Sequence, residues 1–135
     1  MGIRILLAES HRILRETLRI SFEKRNDDME IIAEAEDGST AVKLVEELKP
    51  DVVIMGLALP ELNSIEVTRR IISKFPDIKV VALSMHSDRR SVSGMLKAGA
   101  SGFLIRNCSF EELCQAIRTV FAHQIYLSPE IMIIV

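Results

Sequence analysis

Two hydrophobic rhythms alternate along this chain. Short continuous apolar runs give way to stretches in which apolar residues recur every three or four positions, and the switch happens five times. Ile3-Arg4-Ile5-Leu6-Leu7-Ala8 opens the chain as a strand; after Glu9-Ser10-His11, the spacing of Ile13, Leu14, Thr17, Leu18 and Phe22 predicts a helix, with the Ser10 hydroxyl as its cap. Met29 to Glu36 is a second strand, and Asp37-Gly38-Ser39 turns the chain into a helix carrying Ala41, Leu44, Val45 and Leu48 on one side, ended by Lys49-Pro50. Val67, Thr68, Ile71, Ile72 and Phe75 form a third helical stripe behind Asn63-Ser64, stopped by Pro76. Ile78 to Leu83 is a strand, followed by a loop through His86 and a helix with Val92, Met95 and Leu96 that stops at Gly99. Phe103-Leu104-Ile105 is the last predicted strand, and Ser109-Phe110-Glu111-Glu112 is a reciprocal capping box opening a helix from Phe110 to His123. Five strands alternating with five helices predict a parallel sheet with helices on both faces.

The centre of that sheet is Val52-Val53-Ile54-Met55-Gly56, an apolar run inside a segment bounded by Pro50 and Pro60. Continuous Val and Ile residues mark a strand buried on both faces. In open parallel sheets, ligands and chemistry gather at the carboxyl ends of the strands. Gly56 stands at that end, where a reactive side chain is favoured, and has none.

Composition narrows the functional classes. The chain has 135 residues, 48% of them apolar and 27% charged, which suits one soluble domain. No apolar run approaches the roughly 20 residues of a membrane span, and no secretion signal opens the chain, so the expectation is a cytoplasmic protein without membrane contact. A net charge of −2 and a pI near 5.9 argue against a nucleic-acid-binding surface; Arg69-Arg70 and Arg89-Arg90 read as solvated pairs. Cys108 and Cys114 have neither metal spacing nor histidine partners nearby and read as reduced structural thiols. His11 and His86 read as solvated or hydrogen-bonded loop histidines.

Several strings now coincide in order. They are Ile-Leu-Leu-Ala-Glu-Ser-His at 5–11, Pro-Asp-Val-Val-Ile-Met at 50–55 with Pro60 beyond, Val-Val-Ala-Leu-Ser-Met-His at 80–86, and Lys-Ala-Gly-Ala-Ser-Gly-Phe-Leu at 97–104. With Glu-Glu-Leu-x-x-Ala-Ile-Arg at 111–118 and Tyr-Leu-Ser-Pro-Glu at 126–130, the chain resembles the receiver domains of bacterial two-component response regulators of the NarL/LuxR type. The resemblance implies a flavodoxin-like (CheY-like) α/β fold with a five-stranded sheet in the order 2-1-3-4-5. It also implies a receiver domain over residues 1–124 and, over 125–135, the start of a linker toward a helix-turn-helix domain.

In that family a histidine kinase's phosphoryl group passes to an aspartate after the third strand. An acidic pair after the first strand holds Mg²⁺, and a hydroxyl and a lysine follow the fourth and fifth. By resemblance the acceptor position is Gly56, the acidic pair is Glu9 and Ser10, the hydroxyl is Ser84 and the lysine is Arg106; the aromatic switch position is Phe103, and Asn107 stands where many receivers have proline. One carboxylate remains for a metal, so Mg²⁺ binding is expected to be weak or absent, with no other cofactor. Arg106 is placed to pair with Glu9 across the site.

Gly56 is therefore read as the acceptor position of a degenerate receiver, the alternatives being a substituted natural aspartate or a glycine serving a tight turn. Departures at Glu9, Ser10 and Arg106 as well favour the first. The functional expectation is a regulatory interaction module rather than an enzyme, paired with a histidine kinase or another protein. It would dimerise through the last helices, where Arg89, Arg90, Lys97, Gln115 and Arg118 supply a polar rim, and reach DNA only through a further domain. Two other readings stay open: phosphoryl acceptance by Ser10 or Glu9, and small-ligand binding at the carboxyl edge. Ser128-Pro129-Glu130 begins a helix with only Ile-Met-Ile-Ile-Val after it, an apolar tail expected to dock on a partner or, preferably, to be the cut edge of a longer protein.

Overall fold

The computed structural model describes residues 2–25, 28–57, 59, 63–85 and 88–133. Pro60, His86, Ile134 and Val135 lie outside the described residues. Strands and helices alternate as β1 (Ile3–Ala8), α1 (Arg12–Arg25), β2 (Met29–Ala35), α2 (Gly38–Leu48), β3 (Val52–Gly56), α3 (Ser64–Lys74), β4 (Lys79–Ser84), α4 (Arg89–Lys97), β5 (Gly102–Ile105) and α5 (Phe110–Phe121). A two-residue β6 (Tyr126–Leu127) and a single-turn α6 (Pro129–Met132) follow.

All strand pairs are parallel, in the order β2-β1-β3-β4-β5-β6. This is the flavodoxin-like, CheY-type fold with six strands where five were expected. Tyr126 N–H donates to the Ser101 carbonyl at 2.9 Å and Ser128 N–H to Phe103 at 3.1 Å, so the chain returning from α5 covers the edge that β5 would otherwise leave open. A two-residue strand is too short to show a period, which is why the pattern misses it.

The caps explain the helix limits. Asp37, Asn63, Asp88 and Ser109 each accept, with a side-chain oxygen, the main-chain N–H three residues on. Half of the expected capping box is thus present at Ser109, while Glu112 turns Oε2 to the Tyr126 hydroxyl at 2.8 Å. Gly99, at φ +110°, ends α4 with paired bonds from its own N–H to Leu96 and from Ala100 N–H to Met95. Two expected caps differ. Helix α1 starts at Arg12, so His11 rather than Ser10 stands at its entry, and the Ser128 hydroxyl makes no capping bond to α6.

Alternation along the strands divides the core. Leu6, Val53, Met55, Val80, Ala82 and Phe103 face α2, α3 and α4, while Ile5, Leu7, Ile54, Val81 and Leu104 face α1 and α5. Ile131 of α6 is fully buried in the first cluster, whereas Met132 and Ile133 are exposed. Burying one such side chain contributes about 2 kcal/mol toward holding the one-turn helix against the sheet. No described helix is long and apolar enough to cross a membrane.

Candidate functional site

Register brings the carboxyl ends of β1, β3, β4 and β5 together. Ala8 lies beside Met55, Gly56 beside Leu83, and Ser84 beside Ile105. Glu9, Gly56, Ser84 and Arg106 therefore share one edge, although they are scattered through the sequence.

Glu9 is the centre of the site and is only 2% exposed. Its N–H donates to the Ala35 carbonyl at 2.9 Å, and the Glu9 carbonyl accepts from Arg15 Nη1 at 2.7 Å, so the backbone here is fixed from both sides. Arg106 Nη2 donates to Glu9 Oε1 at 3.0 Å. The main-chain N–H of His11 donates to Oε2 at 2.8 Å, and His11 Nδ1 lies 2.8 Å from the same oxygen. Both carboxylate oxygens are thus engaged. A charge this deeply buried persists only when paired and hydrogen-bonded in this way.

Arg106 engages Glu9 with a single corner of its guanidinium, and its Nε is buried without a partner. The Arg106 N–H donates to the Ser84 carbonyl at 2.6 Å, tying the turn after β5 to the end of β4. Ser84 is 5% exposed at this edge. Phe103 is fully buried beneath the site in the cluster with Val92 and Met95, and does not line the surface.

A Cβ built on Gly56 would stand 2.4 Å from Glu9 Oε1 and 3.0 Å from its Cδ. The Glu9 carboxylate thus occupies the space in which a side chain at position 56 would begin. Ser64, which sequence reasoning passed over, donates its hydroxyl to the Gly56 carbonyl; the only signal was its place in the polar Asn63-Ser64 pair before α3. His11 is the hydrogen-bonded loop histidine that was expected; only its partner, the Glu9 carboxylate two residues before it, was not named in advance. Nearby, burial and then the Glu112 carboxylate push the Cys108 thiol up to about 11, so it stays protonated at neutral pH. Chemically, the arrangement joins the ends of β1 and β5 through a buried ion pair and presents no nucleophile at position 56.

The family model described as the response regulator receiver domain matches residues 5–118. The transcriptional regulatory protein DegU of Brevibacillus brevis is 36% identical over 129 residues, covering 96% of this chain and 54% of its own length. The response regulator GacA of Pseudomonas viridiflava is also 36% identical over 129 residues, covering 96% and 60%. The chain therefore spans between half and two thirds of these relatives. A crystal structure of a LuxR-family two-component response regulator from an Aurantimonas species superposes with a TM-score of 0.91 at 34% identity, over 98% of this chain and 94% of that one.

Proposed function

The chain belongs to the response regulator receiver domain family, and from that premise we propose that it is an atypical receiver which takes no phosphoryl group at position 56 and signals by protein contact. The observation that carries the reading is the side-chain-free Gly56 at the end of β3, with the neighbouring carboxylate already committed to Arg106 and His11. A phosphoryl acceptor needs a carboxylate nucleophile open to an in-line donor, and none is offered there.

The donor set does not fit magnesium either. A magnesium ion held by protein and phosphate takes one or two free carboxylates in near-octahedral geometry. Glu9 has both oxygens engaged, and Ser10 and Gly56 bring no charge. No metal enters the proposed mechanism.

Partner contact is proposed on the side of α5. Phe121 is 45% exposed and Ile125 70% exposed at its carboxyl end, and Gln115 is exposed on the same helix. A second copy of the chain is the proposed occupant, as befits a regulator, with a histidine kinase or another protein as the upstream partner. Contact with DNA is assigned to a separate helix-turn-helix domain of the whole regulator, in keeping with relatives about twice as long as the matched region.

Native and intact mass measurement after incubation with Mg²⁺ and acetyl phosphate tests the reading. The expected spectrum has no phosphoryl adduct and contains dimer. An adduct on the unmodified chain would overturn the proposal and direct attention to Ser10 and Glu9.

A further inference from the structure

Glycine at position 56 is not demanded by the backbone. Among the described glycines only Gly99 has φ in the left-handed region, so the main chain at residue 56 suits any amino acid. Nor is the space around it filled by main chain: the nearest backbone atom to a Cβ there, the Ala8 carbonyl oxygen, is at an ordinary contact distance of 3.4 Å. What excludes a side chain is Glu9, and Glu9 is where it is because Arg106 and His11 hold it.

We propose that Glu9 is the permanent internal occupant of the place at the end of β3, and that Gly56, Glu9 and Arg106 form one latch fixing the turn after β5 to the end of β1. The proposal rests on the atypical-receiver reading and adds how the site is held in a single state. The anionic position beside residue 56 is filled by the chain's own carboxylate, so an oxyanion arriving from outside meets a negative charge already paired with the Arg106 guanidinium. Arg106 lies 97 positions from Glu9 and opens the turn Arg106-Asn107-Cys108, whose Cys108 N–H returns to the Ile105 carbonyl at 2.9 Å. Adding a single methyl group at position 56 obliges Glu9 Oε1 to shift, because 2.4 Å is well inside any real carbon–oxygen contact, and in the proposed latch that shift is made at the expense of the bond to Nη2, which otherwise holds the oxygen in place. The latch then opens, and the turn carrying Cys108 loses its anchor to β1.

A cycle of two substitutions tests this without any phosphoryl chemistry. Gly56→Ala in the natural background is expected to lower Tm by about 5 °C. It should also speed modification of the half-buried Cys108 by a thiol reagent at fixed pH by roughly tenfold, the exposure gained when a turn opens locally. In a Glu9→Ala background the same Gly56→Ala change is expected to leave Tm within about 1 °C or raise it, since alanine suits a strand better than glycine. Where Glu9→Ala alone is too unstable to measure, Glu9→Ala with Arg106→Ala removes both charges and serves as the background. An equal loss of Tm in both backgrounds, or Cys108 reactivity unchanged by Gly56→Ala, would overturn the latch. Neither result bears on whether the unmodified chain accepts phosphate, so the latch and the atypical-receiver reading fail separately.

Discussion

Two of the side-chain ties among the described residues, one at the carboxyl edge of the sheet and one beyond its outer strand, work by different physics. At the carboxyl edge, Arg106 meets a Glu9 that is 2% exposed, joining segments 97 residues apart. Beyond the outer strand, the Tyr126 hydroxyl donates to Glu112 over 14 residues, half-buried and open to water on one side. The first tie is a charge pair that water cannot replace once a partner is lost. The second is a hydrogen bond that water can make nearly as well. Deep burial, rather than the chemistry of the carboxylate, sets how much each holds.

Arg106→Met separates the two most sharply. It leaves the Glu9 carboxylate buried without its cation, and a loss of about 3 kcal/mol in denaturant unfolding is expected, the lower end of the range for such pairs because the His11 N–H stays in place. Combining it with Glu9→Met should recover most of that loss, since two matched apolar side chains leave no uncompensated charge. If the single change costs no more than a surface substitution, the buried tie is not the stronger one.

Tyr126→Phe should cost about 1 kcal/mol, because the ring keeps its packing and water replaces the lost phenol bond to Glu112. A loss as large as that at Arg106 would erase the distinction between the ties.

The smallest effect is in alkali. Partial burial, and after it the hydrogen bond to Glu112, raise the Tyr126 phenol to about 12. A phenol whose folded value lies above its unfolded one adds stability that is complete below the unfolded midpoint near pH 10 and is lost as the pH climbs toward 12. Because Tyr126 is the single tyrosine of the chain, tyrosinate absorbance reads this group alone. The expected midpoint lies well above that of the unfolded chain in urea, and Tyr126→Phe should flatten the alkaline loss of stability.

Legibility followed the range of the interactions. The first five strands and five helices, the Ser109 cap, the Asp37-Gly38-Ser39 turn and the Gly99 stop were readable, because each depends on residues within a few positions of one another. The split of the core into two faces was readable as well, since the alternation of Leu6 with Leu7 and of Val53 with Ile54 is local. The sixth strand was not: Tyr126 and Leu127 become a strand only by meeting the open edge of β5. Sequence likewise placed Glu9, Gly56 and Arg106 at one edge and allowed the ion pair of Glu9 with Arg106, but the polar Asn63-Ser64 pair did not by itself point to a bond from Ser64 to the Gly56 carbonyl. Nor did it indicate that Glu9 would fill the space beside Gly56. That depends on where a long side chain from β1 comes to rest once β3 and the turn after β5 have closed around it, a distance no pattern along the chain encodes. The amino-acid order alone thus determined the family, the layers and the absence of a side chain at position 56; only the packed sheet decided which group stands there instead.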